Sequence, residues 1–129
     1  MGLPPGALHT IMNNTRYHRF ADFWPYYVLE HSHPLNRKLH FWGMNNLIFW
    51  IALAVRRRSP KVFAFAILSS YAYAWFGHFF IENNRPATLE YPILSTLGEL
   101  MMYAKLWLGT MDSEVAKYTQ AKHQTDQES

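Results

Sequence analysis

The chain has no cysteine. Disulfides, thiolate-held zinc and iron–sulfur clusters are therefore excluded, and any metal must be held by imidazole, carboxylate or water. Charge is also scarce: twelve basic residues face nine acidic ones, for a formal charge of +3. The basic residues are scattered except for Arg56, Arg57, Arg58 and Lys61. A cluster of that size suits a lipid surface better than a nucleic acid, so no nucleic-acid partner is expected. No run alternates apolar and polar residues as a half-buried strand does, and no internal repeat is present. Residues 1–14 lack the basic start and apolar core of a secretory signal. Gly6 stands where a myristoylation signal has Ser or Thr, so that anchor is not expected either.

What the chain has in quantity is apolar and aromatic surface. Half of its residues are hydrophobic and 17% are aromatic, concentrated in the middle. The expected fold class is all-α, a membrane-embedded bundle of about four helices around a central apolar hairpin. An N-terminal extension (1–15), one helical domain (16–111) and a polar, disordered tail (112–129) make up the chain. Residues 16–31 read as a first helix, which Pro25 kinks or divides. His33 and Pro34 have the form of a cap followed by a first-turn proline, opening a second helix that runs to about residue 55. Ser59 and Pro60 repeat the signal for a third, which must stop before Pro86. Pro92 opens a fourth, where Ile93, Leu94, Leu97, Leu100, Met101, Ala104 and Leu108 form a stripe of helical period.

Length decides whether the hairpin can cross a bilayer. Residues 62–81 would span about 30 Å as a helix, enough for a hydrocarbon core. Residues 41–55 give only about 22 Å and contain Asn45 and Asn46, so this helix crosses only with its flanks or in a thinned membrane. Trp24, Tyr26, Tyr27, Phe41, Trp42, Trp75, Phe76, Phe79, Phe80 and Tyr91 gather near one end, as an interfacial belt does. The cationic RRRSPK loop marks the opposite end. More positive charges lie toward the aromatic end, so the sequence leaves the orientation open.

Two polar blocks, HSHPLNRKLH (31–40) and GHFFIENNRPA (77–87), flank the hairpin. In an antiparallel pair joined through RRRSPK, residues whose numbers sum to about 118 lie level. His40 then faces His78, Asn36 faces Glu82, and His33 faces Arg85. Positions 33, 36 and 40 share a helical face, and so do 78, 82 and 85. His31, His40 and His78 are the candidate metal ligands, because ionisable groups at the edge of an apolar segment are costly unless they do something. Glu82 has two readings: a carboxylate ligand completing a two-histidine, one-carboxylate site, or a partner of Arg85 or of an imidazole N–H. Arg85 is either a bidentate carboxylate holder or an interface anchor. His33 is explained by capping, and His9, His18 and His123 have no polar cluster around them.

Tyr27, His31, Asn36 and His40, with Gly77, His78, Phe80, Glu82, Arg85, Pro86 and Ala87, resemble the signature of a small membrane-protein family typified by the fungal 2-hydroxy fatty acid dioxygenase. The resemblance covers residues 17–110. It implies an Fe(II)-dependent α-oxidation in which a long-chain 2-hydroxy fatty acid and O₂ give a product one carbon shorter. It also implies an integral membrane location, the endoplasmic reticulum in a eukaryote or the inner membrane in a bacterium. By position it makes His31, His40 and His78 the iron ligands, with Glu82 a possible partner. Glu82 and Arg85 are then the candidate catalytic residues, and Tyr27, Asn36 and Arg85 the candidate substrate contacts. His33 stands where the fungal sequence has asparagine, so no role carries over to it. The residues alone leave two alternatives open, a zinc-dependent membrane hydrolase and a non-enzymatic membrane scaffold.

Overall fold

Proline at the first turn starts three of the helices. In a computed structural model describing residues 16–128, His33 caps α2 (Pro34–Arg57) by accepting from Leu35 N at 3.1 Å through Nδ1. Ser59 caps α3 (Pro60–Phe76), its Oγ accepting from Val62 N at 3.3 Å. Such caps each contribute about 1 kcal/mol, and proline at this position forfeits no hydrogen bond. Pro92 likewise opens α4 (Pro92–Leu108). The first helix, α1 (Phe20–Glu30), begins later than residue 16 and continues through Pro25. No strand occurs among the described residues. The expected N-terminal extension, His9 included, lies outside them.

The chain packs as two compact units. One consists of residues 33–86, and the other of residues up to 32 together with 87 onward. In the 33–86 unit, α2 and α3 form the hairpin, and a π-helical turn, Gly77–Glu82, extends α3. Arg58, in the left-handed conformation at φ 49°, ends α2 and turns the chain into the loop.

This hairpin is inside out. Its buried face carries Asn36, His40, Gly43, Ala66, Gly77 and His78. Trp42, Phe49, Val55, Phe65, Leu68 and Phe80 are exposed. Gly43 lets the helices approach closely, since a Cβ there would lie 3.0 Å from Tyr73 Cβ. Asn46, expected to hinder a membrane span, instead ties the pair together. Its Nδ2 donates to Ser69 Oγ at 2.7 Å and to Ser70 Oγ at 3.2 Å, and its Oδ1 accepts from Trp50 Nε1 at 3.1 Å. Pro60–Glu82 is the one stretch among the described residues long and apolar enough to cross a membrane by length and composition. Only 17% of its apolar window is buried, unlike the core helix of a soluble protein.

In the other unit α1, α4 and α5 (Met111–Glu128) enclose a core of Phe23, Tyr27, Val28, Met102, Met111 and their neighbours. The apolar stripe of α4 faces mainly outward: Ile93, Leu97, Leu100 and Leu108 are exposed, while Ser95, Gly98 and Met102 are buried. A helical period identifies a face but not the side it turns to, and here the small residues face inward.

The segment from residue 112, expected to be a disordered tail, is instead the helix α5. Met111 and Tyr118 are buried and Val115 packs against the same core, a stripe of three in an otherwise polar helix. Glu114 anchors it, pairing with Lys105 Nζ at 3.0 Å and accepting from Trp24 Nε1 at 3.4 Å. Composition averaged over the segment conceals these few contacts.

Candidate metal centre

Within the 33–86 unit, the antiparallel register brings two of the three expected pairs together. The rings of His40 and His78 meet edge to face, with centroids 5.0 Å apart at 84°. Asn36 Nδ2 lies 3.5 Å from Glu82 Oε1. The third pair fails. Asn83 takes the left-handed conformation at φ 58°, and its N–H and that of Asn84 both donate to His78 O, so the helix closes there. Arg85 therefore sits in the following loop, exposed, and not on the helical face of His78 and Glu82. Asparagine tolerates this backbone conformation through its short polar side chain, so the helix stops three residues before Pro86.

Glu82 makes a different use of its carboxylate. Its Oε1 accepts from His33 N at 2.5 Å, satisfying a backbone donor at the start of α2 that the helix itself cannot. The carboxylate thus joins the end of the π-helical turn to the cap of α2, a contact to a backbone N–H and not to Arg85 or an imidazole.

The π-helical turn carries His78, and such turns recur at functional sites. Its Nδ1 lies 2.7 Å from Asn84 Oδ1. An amide oxygen only accepts, so Nδ1 bears the hydrogen and the neutral ring keeps its lone pair on Nε2. Asn84 had no role in the sequence reading. The only signal was a second asparagine placed just beyond the helix end.

In the other unit, His31 ends α1. Its Nδ1 lies 2.7 Å from Tyr27 O, four residues back, which likewise leaves the lone pair on Nε2. Tyr27 lies over the ring, with centroids 4.1 Å apart and planes at 28°. Tyr27 is itself buried, and its hydroxyl donates to Glu99 Oε2 at 2.6 Å. Glu99 lies 72 residues from Tyr27, and no sequence motif singles it out. His31 is buried in its unit, and His40 and His78 are buried in the 33–86 unit; each offers an imidazole nitrogen that could hold a metal ion. Two of the three present a fixed tautomer suited to binding a cation through Nε2. Arg37 is also buried, a charged residue that no sequence motif singles out.

Burial shapes the tyrosines around this end of α1. The Tyr17 hydroxyl is pushed up to about 12, first by desolvation and then by Tyr91, Glu30 and Asp22. Tyr26 is raised as well, by burial and then chiefly by Glu30. Tyr27 is raised by burial, by the Glu99 charge and by its hydrogen bond to that carboxylate. A raised phenol keeps its proton in the folded state after the unfolded chain has begun to lose it near pH 10. The unfolded state then binds fewer protons, so stability falls as pH rises through that point. Thermal melting between pH 9 and 12 should show a flat region followed by a steady loss above about pH 10. A melting temperature unchanged up to pH 12 would count against the buried tyrosine cluster.

The described residues form an all-α fold in which three of the six buried polar or charged residues are histidines, a residue type that could hold a metal ion. The family model described as 2-hydroxy-palmitic acid dioxygenase Mpo1-like matches residues 17–111, and the chain belongs to that Mpo1-like family. No curated protein and no solved structure matches it at a significant level.

Proposed function

We propose that the protein is an Fe(II)-dependent dioxygenase that shortens long-chain 2-hydroxy fatty acids by one carbon, with His31, His40 and His78 as the iron ligands. Membership of the Mpo1-like family carries the reading. The three buried imidazoles support it, because neutral nitrogen donors in an apolar setting suit a divalent transition metal. Fe(II) held there would supply the electrons for O₂ activation and open positions for a chelating 2-hydroxy acid.

The chain's own residues have separable tasks. Asn84 and the Tyr27 carbonyl hold His78 and His31 with Nε2 available. Asn36 Oδ1 is buried and accepts no hydrogen bond among the described residues, so it is the acceptor we assign to the substrate hydroxyl. Arg85, exposed beyond the π-helical turn, is assigned to the substrate carboxylate. The bilayer is the proposed environment. Pro60–Glu82 is long enough to cross it, and the outward apolar faces of α2, α3 and α4 suit contact with acyl chains.

The reaction balances with one O₂ per acid, giving the shorter fatty acid, carbon dioxide from the carboxyl group, and water. The test is oxygen uptake by the purified, Fe(II)-loaded protein in detergent. The expected result is uptake with a long-chain 2-hydroxy acid and release of a carboxyl label as carbon dioxide. The unhydroxylated acid should react poorly because it cannot form the five-membered chelate. No uptake with any 2-hydroxy acid across a range of chain lengths, or equal turnover of the plain acid, overturns the proposal.

A further inference from the structure

Resting on the assignment of His31 as a metal ligand, we infer that Glu99 acts through Tyr27 as a positioning residue for that imidazole. Tyr27 touches its neighbours in three ways at once. Its carbonyl oxygen holds His31 Nδ1 at 2.7 Å, its ring stacks on the imidazole at 4.1 Å, and its hydroxyl donates to Glu99 at 2.6 Å. The first contact sets which nitrogen faces a metal, the second sets the plane of the ring, and the third fixes the phenol that does the stacking.

The surroundings leave the phenol little freedom. Trp24 lies near-parallel behind it, with centroids 5.9 Å apart at 17°. On the α4 side the ring lies against Gly98, where a Cβ would come within 2.9 Å of Tyr27 Cδ2 and 3.0 Å of Cε2. Gly98 and Glu99 are adjacent: the first makes room for the ring and the second takes its hydroxyl proton in a hydrogen bond. The phenol thus links Glu99, at its hydroxyl, to His31, against its face.

The contact also has an electronic consequence. A phenol donating to a carboxylate gains electron density, which makes its face more attractive to positive charge. An imidazole bound to a divalent cation carries such charge, so the stack is stronger when metal is present. Substrate contact, the other role open to Tyr27, requires a reachable hydroxyl. This one is buried and committed to Glu99.

The experiment uses the full chain in detergent and two readouts that do not depend on turnover: Fe(II) affinity by chelator competition, and the visible spectrum of Co(II)-substituted protein. Y27F and E99L are each expected to weaken Fe(II) binding about tenfold, the scale of lost outer partners of a metal ligand, and to shift the Co(II) bands. E99Q can still accept from the phenol and should lose less. Because Glu99 works through Tyr27, the double variant Y27F/E99L should bind no more weakly than Y27F alone. Additive losses, or wild-type affinity and spectrum in both single variants, overturn the inference. If E99L fails to fold, the near-isosteric Y27F and E99Q decide. H31A separates the two levels. Wild-type metal binding in H31A removes the metal assignment itself, whereas lost binding in H31A with an unaffected Y27F removes this inference alone.

Discussion

Purified protein with alanine at His31, His40 or His78 should lose its iron, with an affinity lower by about a hundredfold or more, beyond the effect of losing an outer partner. His40 and His78 come from different helices and meet with ring centroids 5.0 Å apart, so truncating either leaves one nitrogen where two converged. His31 adds a third buried imidazole whose tautomer is set by the Tyr27 carbonyl. Asn84→Ala should cost less, about tenfold, because it removes the acceptor for His78 Nδ1 and leaves the ligand in place. His18 and His123 are exposed, and alanine at either should leave metal content unchanged. Elemental analysis after preparation without added iron, with helicity checked by circular dichroism, decides the matter. Stoichiometric metal in all three single variants removes the assignment.

The parts of this arrangement that could be read from sequence are those set by local rules. Two cap-and-proline pairs fix where α2 and α3 begin, and an antiparallel hairpin with known starts has little freedom of register. That is why His40 with His78 and Asn36 with Glu82 could be paired by counting residues. Counting failed at Arg85 because it assumed regular α-helix to the proline. The π-helical turn and the left-handed Asn83 end the helix earlier, and neither leaves a periodic trace. Long-range contacts were equally hidden. Nothing near Tyr27 in the chain points to Glu99, and nothing in the polar composition of α5 points to Met111 and Tyr118 as buried anchors. The apolar stripe on α4 was visible, but its outward direction was not, because the same period serves a core helix and a lipid-facing one.

Gly77→Ala should be the most damaging single-methyl change in the hairpin. Gly77 has ordinary helical dihedrals, φ −60° and ψ −45°, so the constraint is space and not backbone conformation. A Cβ there would lie 1.9 Å from Asn36 Oδ1 and 2.9 Å from Asn36 Cγ, well inside contact distance. Asn36 is fully buried and cannot swing into solvent. Either its amide moves, breaking its approach to Glu82 Oε1, or α2 and the π-helical turn separate. Overpacking of this kind costs about 1–3 kcal/mol, and a displaced buried amide adds to it. Separation also acts on the metal, since His78 follows Gly77 directly and His40 lies one turn beyond Asn36. Gly77→Ala should therefore lower the melting temperature and the iron content together. Asn36→Ala removes the obstructing amide, so Gly77→Ala in that background should cost much less than alone, a coupling readable in a double-mutant cycle. A cost that is the same in both backgrounds would show that Asn36 and Gly77 do not share this space.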